Sequence, residues 1–169
     1  MSTIDFSSES KHQGFTLVEL IIVIVIIGIL AAISVLAYNG VVDSAHDTTV
    51  KCDLANFAKK IEIVKTETGF YPQNSSQMTK DMGFTFTRNA YGADEQFYNL
   101  RFCANPETDN YIMYARSKSG NFFKYTAHDG LETATNTYGW GVCSQIGLSK
   151  TNPTANGLYN SDTWASWIN

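Results

Sequence analysis

The sequence contains few of the residue patterns that metal centres and hydrolases require. Its three cysteines are an odd number without CxxC spacing, which argues against a zinc ribbon or a thioredoxin-like site. The three histidines lie far apart and form no HExxH motif, and the chain has neither a glycine-rich phosphate loop nor a GxSxG motif. We therefore expect a protein that is not an enzyme, with no catalytic residues, no cofactor and no metal site.

Basic residues are also few. The chain has 12 lysines and arginines against 16 aspartates and glutamates, and its formal net charge is -4. A protein that binds nucleic acid neutralises phosphates with clustered basic side chains. Here only Lys59 and Lys60 are adjacent. The composition therefore indicates no specific nucleic-acid partner.

The longest feature of the sequence is an apolar run at residues 20–42, which contains 23 residues without a charge. As an α-helix this run would extend about 34 Å, which exceeds the hydrocarbon core of a bilayer at about 30 Å. The alternative, a secretory signal peptide, normally has an apolar region of only about 7 to 15 residues. We predict a membrane-spanning helix, and Lys11 before it favours a cytoplasmic amino terminus.

An acidic residue, Glu19, lies immediately before this uncharged run. A carboxylate in hydrocarbon is costly unless it is paired, so an acid within a membrane segment indicates a functional role. The alternative is that the side chain of Glu19 extends to the lipid headgroups, one turn into the helix. The position of Glu19 therefore raises the question of which cation it meets.

The sequence GFTLVEL at residues 14–20, followed by a long uncharged helix with Gly28 and ILAAI, resembles the amino terminus of type IV pilins and the related pseudopilins. The resemblance covers residues 14 to about 38 and implies cleavage by a prepilin peptidase between Gly14 and Phe15. It also implies methylation of the new amino group on Phe15. Glu19 would then pair with the amine of a neighbouring subunit and set the register of a filament, although pairing within one chain is an alternative at this spacing.

The resemblance and the apolar periodicity together predict an α+β fold, in which a long helix packs against a small antiparallel sheet. The leader is residues 1–14, the membrane-spanning half of the helix residues 15–42, the amphipathic half residues 43–69, and the β-rich head residues 70–169. Gly69 and Pro72 indicate the end of the helix. One apolar stripe at helical spacing should face the sheet; it consists of Val50, Leu54, Phe57, Ile61 and Val64.

Within the head, residues 111–116 and 121–127 flank a polar turn and predict an antiparallel hairpin. Residues 83–87 and 138–144 are candidates for further short strands. We expect a disulfide between Cys103 and Cys143, with Cys52 free; pairing of Cys52 with either of them is the alternative.

The function implied by the resemblance is that of a prepilin, a structural subunit of a surface filament that serves adhesion, motility or DNA uptake. The expected partners are identical subunits in a helical filament, the prepilin peptidase, an assembly ATPase, a membrane platform protein and, before assembly, membrane lipid. The protein would span the inner membrane once and then become part of an extracellular filament. Many type IV pilins have a proline where this chain has Leu36. A pseudopilin of a secretion or competence machine is therefore one alternative, and an uncleaved membrane-anchored binding domain is another.

Overall fold

One long helix, α1 (Leu17–Thr68), contributes residues to both compact units of the chain, which divide between Gly40 and Val41. The computed structural model describes residues 14–72, 86–92, 99–135, 140–148 and 155–156. Residues 1–13 of the predicted leader lie outside these ranges. The helix begins at Leu17, two residues after the predicted start at residue 15, and ends at Thr68, immediately before Gly69.

The first unit contains the apolar part of α1, whose side chains are exposed on every side of the helix. Leu20, Ile26 and Leu36 are 62%, 50% and 75% exposed. A helix that is apolar all round requires a nonaqueous surrounding. By its length and composition α1 is able to cross a membrane.

In the second unit, α1 is amphipathic. Its buried residues include the predicted stripe together with two neighbours, Asp53 and Ala58. At the end of the helix the N–H of Gly69 donates a hydrogen bond to the carbonyl of Lys65, and Gly69 has φ of 87°. This conformation is available to glycine without steric cost, so Gly69 terminates the helix as predicted.

The sheet of the second unit is antiparallel, with the strand order β4-β3-β2-β1-β5. Its strands are β1 (Leu100–Asn105), β2 (Asn110–Arg116), β3 (Phe122–Thr126), β4 (Gly130–Ala134) and β5 (Ala155–Asn156). The predicted hairpin is confirmed as β2 and β3, which pair Tyr114 with Lys124. The α+β fold is also confirmed.

The sheet has an apolar cluster on each face. On the inner face, side chains such as Phe102, Tyr111 and Met113 belong to one core with the buried stripe of α1. On the outer face, Cys103 and Ile112 pack with residues of the 140–148 segment. The second unit is therefore built of three layers, with the sheet in the middle.

The prediction of a strand at residues 138–144 is wrong where the structure describes it, because Trp140–Ser144 forms a short helix, α2. Val142 and Cys143 are both buried in the outer cluster. Successive residues of a strand point to opposite faces, whereas a helical turn brings both onto the sheet.

The predicted strand at residues 83–87 falls partly outside the described residues. Phe86 and Thr87 are described, and neither is in a strand; a 3-10 turn, Arg88–Ala90, follows them. The backbone N–H of Thr87 donates to the carboxylate of Asp53 at 2.7 Å instead of to a neighbouring strand.

Candidate functional site

Gly14, Phe15 and Thr16 precede the first turn of α1 and are exposed. The Phe15 side chain is 91% exposed. The peptide bond between Gly14 and Phe15 therefore lies outside the helix. A peptidase requires such access to the bond that it cleaves, because the backbone of a helical bond is occupied by intrahelical hydrogen bonds.

Thr16 and Glu19 form a reciprocal capping box at the start of α1. The N–H and the Oγ1 hydroxyl of Thr16 both donate to Oε2 of Glu19, each at 2.8 Å. In return, the N–H of Glu19 donates to Oγ1 of Thr16 at 3.3 Å. This arrangement satisfies donors at the helix start that have no intrahelical acceptor, and it explains why α1 begins at Leu17.

The capping box holds the Glu19 carboxylate at the amino-terminal end of the helix, where the helix dipole favours a negative charge. Among the described residues, hydrogen bonds reach only Oε2 of Glu19. The second carboxylate oxygen, Oε1, is therefore available to another donor. A cation at this position would find an oriented acceptor.

The structure thus brings Gly14, Phe15 and Glu19 together by chain proximity, and it adds Thr16, which sequence reasoning missed. The signal was present, because threonine followed three residues later by glutamate, immediately before an apolar run, is the sequence signature of a capping box. The sequence prediction gave Glu19 the role of an ion-pair partner and did not include its hydrogen bonds with Thr16.

The three cysteines lie elsewhere, in the second unit. Cys103 of β1 and Cys143 of α2 are joined by a disulfide with a Cα–Cα distance of 5.6 Å. The bond ties the 140–148 segment to the outer face of the sheet. Cys52 is a free, exposed cysteine on α1.

Within the described ranges, no group of three or more His, Cys, Asp or Glu side chains could hold a metal ion.

Residues 10–35 match the family model described as a prokaryotic N-terminal methylation motif. The motif covers Gly14, Phe15 and Glu19 together with residues 20–35 of the apolar run. It is the region in which the capping box lies.

Three curated relatives illustrate the wider similarity. The chain is 37% identical over 78 residues to the type IV major alpha-pilin of Moraxella bovis, covering 45% of this chain and 49% of that protein. It is 36% identical over 80 residues to fimbrial protein Q of the same organism, covering 46% and 51%. It is 26% identical over 135 residues to the type II secretion system core protein G of Escherichia coli K12, covering 78% and 93%. The chain thus spans about half the length of the two Moraxella proteins that it matches.

Proposed function

We propose that the chain is a filament subunit of the superfamily of type IV pilins and type II secretion pseudopilins, which is trimmed after Gly14 and assembled by packing of its apolar helices. The methylation motif and the similarity to a pilin and to a core protein G support this proposal. Its role is structural. The subunit spans the inner membrane once before assembly and leaves the lipid when it joins a helical filament of identical copies. We favour a surface filament that serves adhesion, motility or DNA uptake.

The observation that carries the proposal is the orientation of the Glu19 carboxylate. Removal of residues 1–14 frees a cationic amino group on Phe15, four residues before Glu19. In a medium of low dielectric constant these two charges attract strongly. Oε2 is occupied by Thr16 and Oε1 is available, so the carboxylate accepts the amine of an incoming neighbour without giving up the capping box.

The exposed apolar surface of the first unit supports the same proposal. Within lipid these side chains have no hydrophobic reason to associate, so helix association depends on packing and on polar contacts. One ion pair per subunit at a fixed depth supplies such a contact and also fixes the axial register. The prepilin peptidase, an assembly ATPase and a membrane platform protein are the partners that this process requires.

A pseudopilin of a secretion machine is the second candidate. The match to core protein G extends over 93% of that relative, whereas the match to the Moraxella major pilin extends over 49%. The longer coverage supports a pseudopilin. Identity does not separate the two candidates, because a core protein G of Pseudomonas aeruginosa is also 37% identical, over 62 residues. Long surface fibres in sheared material from cells, seen by electron microscopy, would distinguish the pilin from the pseudopilin.

The proposal is tested by the Glu19→Ala variant, with Glu67→Ala as the matched control on an exposed position of the same helix. Glu19→Ala should still enter the membrane, and its yield of sheared filaments should fall at least about tenfold, because each subunit contact loses its ion pair. Glu67→Ala should assemble normally. Wild-type filament levels in Glu19→Ala would refute the register role.

Mass analysis of the mature amino terminus tests the processing step separately. The mature protein should begin at a methylated Phe15. A mature protein that still carries residues 1–14 would instead support the third possibility, a membrane-anchored binding domain that keeps its leader.

A further inference from the structure

The turn between β2 and β3, residues 117–121, is fastened to α1 close to the end of the apolar run. Asp47 of α1 accepts hydrogen bonds from the Oγ hydroxyl of Ser119 and from Nδ2 of Asn121, the latter at 2.7 Å. Within the turn, the N–H of Ser117 donates to the carbonyl of Asn121 at 2.8 Å. These bonds hold the turn in a fixed position against α1 at Asp47.

The direction of the sheet along α1 follows from two further contacts. Lys51, one turn after Asp47, lies 4.7 Å from the ring centre of Phe123 in β3. Lys65, in the last turn of α1, pairs with Asp109 in the β1–β2 turn at 2.6 Å. The β2–β3 turn therefore lies at the beginning of the amphipathic half of α1, and the β1–β2 turn lies at its end.

Chain spacing places Asp47 close to hydrocarbon. The apolar run ends at Val42, and Asp43 is exposed and charged, so the hydrocarbon layer must end by that residue. Asp47 follows Val42 by five residues of helix, a rise of about 8 Å. The polar headgroup layer is about 5 to 8 Å thick on each side of the bilayer. The group that holds the turn is thus at the level of the headgroups.

The chemistry of the turn suits that layer. Its sequence is Ser-Lys-Ser-Gly-Asn, in which every residue except Gly120 has a polar side chain and Lys118 is the one charged residue; Lys118 is exposed. The carboxylate of Asp47 is hydrogen-bonded to Ser119 and Asn121. A lysine near an anionic membrane surface is attracted to it, and the attraction acts within about one Debye length.

We propose that the 117–121 turn is a membrane-surface contact of the unassembled subunit, in which Lys118 binds the phosphate of anionic phospholipid headgroups. The proposal rests on the membrane anchoring of the proposed function. The contact is lost when the subunit leaves the bilayer. The contact therefore orients the β-rich head on the membrane before assembly. It must be broken when the subunit leaves the bilayer and joins the filament.

The test uses the full unmodified chain in vesicles of phosphatidylcholine, with and without phosphatidylglycerol. A water-soluble amine-acylating reagent modifies exposed lysines, and peptide mass spectrometry gives the rate at each one. Lys59 is the internal control, because it is exposed and lies 17 residues of helix beyond Val42. Its backbone is therefore about 25 Å along the helix from the end of the apolar run. Modification of Lys118 should be several-fold slower in vesicles that contain phosphatidylglycerol, and the rate at Lys59 should not change.

High salt should remove most of this protection, because it screens exposed charges. Equal relative rates at Lys118 and Lys59 in both kinds of vesicle would overturn the headgroup contact. Resistance of the chain to alkaline extraction from the vesicles is measured in the same samples. A chain that is inserted but unprotected at Lys118 refutes the contact alone, whereas a chain that does not insert refutes the membrane anchoring as well.

Discussion

The carboxylate of Asp53 in α1 accepts a hydrogen bond of 3.2 Å from the hydroxyl of Tyr91, 38 residues later in the chain. The same carboxylate accepts the N–H of Thr87 at 2.7 Å. Burial raises the pKa of Tyr91 well above its usual range, and the nearby charge of Asp53 raises it further. Tyr91 therefore remains a hydrogen-bond donor, and Asp53 fastens residues 86–92 to the helix.

Replacement of Asp53 should destabilise the second unit. Asp53→Ala leaves the N–H of Thr87 and the hydroxyl of Tyr91 without this acceptor, which should lower the free energy of unfolding by about 2 to 4 kcal/mol. Urea unfolding of the full chain in detergent micelles, followed by near-ultraviolet circular dichroism, measures the change. Asp43→Ala, at an exposed position of α1, is the control. Equal stability of the two variants would show that the buried hydrogen bonds contribute nothing.

Two buried tyrosines should respond differently to loss of their hydroxyl groups. The hydroxyl of Tyr111 is buried near the carboxylate of Glu62 but makes no hydrogen bond of normal geometry to a described residue, whereas that of Tyr91 donates to Asp53. Tyr91→Phe should therefore cost about 1 kcal/mol, and Tyr111→Phe should be neutral or stabilising, because an apolar group of the same shape removes an unpaired polar atom. The same urea titration compares them. A larger loss for Tyr111→Phe would contradict this assignment.

The sequence predicted the elements whose pattern is local. The stripe from Val50 to Val64 repeats every three or four residues, which is the spacing of one helix face. Glycine is the residue type that most readily ends a helix with positive φ, as Gly69 does. Both features could therefore be predicted without knowledge of the fold. The β2–β3 hairpin could also be predicted from the sequence, because its polar turn separates two runs of β-prone residues.

The remaining features depend on contacts between distant residues. Trp140–Ser144 is helical because Val142 and Cys143 both pack on the outer face of the sheet, beside Cys103, which lies 40 residues earlier in the chain than Cys143. Asp53 looked like an ordinary polar residue of the helix, and only the folded chain brings Thr87 and Tyr91 to it. The capping box of Thr16 and Glu19 does not depend on distant contacts. Its Thr-x-x-Glu pattern is local, so this feature was predictable from the sequence.

The disulfide should contribute strongly to stability. It closes a loop of 40 residues, and restriction of the unfolded chain by a loop of this length is worth about 4 kcal/mol in the chain-entropy estimate. Cys103→Ser combined with Cys143→Ser should lower the free energy of unfolding by about that amount. Cys52→Ser, which removes the free exposed cysteine, should leave it unchanged. Equal urea midpoints for all three proteins would contradict the prediction.

Acid should weaken the attachment of the β2–β3 turn. Burial raises the pKa of Asp47, but hydrogen bonds from Ser119, Ser117 and Asn121 outweigh it, so the pKa lies below its usual value. Because the folded state favours the charged form, Asp47 stabilises the protein above about pH 4, and its contribution is lost as the pH falls through the lowered pKa. The difference in urea midpoint between wild type and Asp47→Asn should shrink on acidification. A difference that is independent of pH would refute this role.

The hydroxyl of Thr16 should be required to hold the first turn of α1. Thr16→Val keeps the shape of the side chain but removes the hydroxyl that donates to the Glu19 carboxylate and accepts from the N–H of Glu19. Loss of such a cap costs about 0.5 to 2 kcal/mol of helix stability. Amide hydrogen exchange at residues 17–19, measured by NMR in micelles, should therefore be faster in Thr16→Val than in wild type. Thr16→Ser keeps the hydroxyl and should exchange like wild type. Equal exchange in the valine and serine variants would mean that the helix begins at Leu17 without help from the capping box.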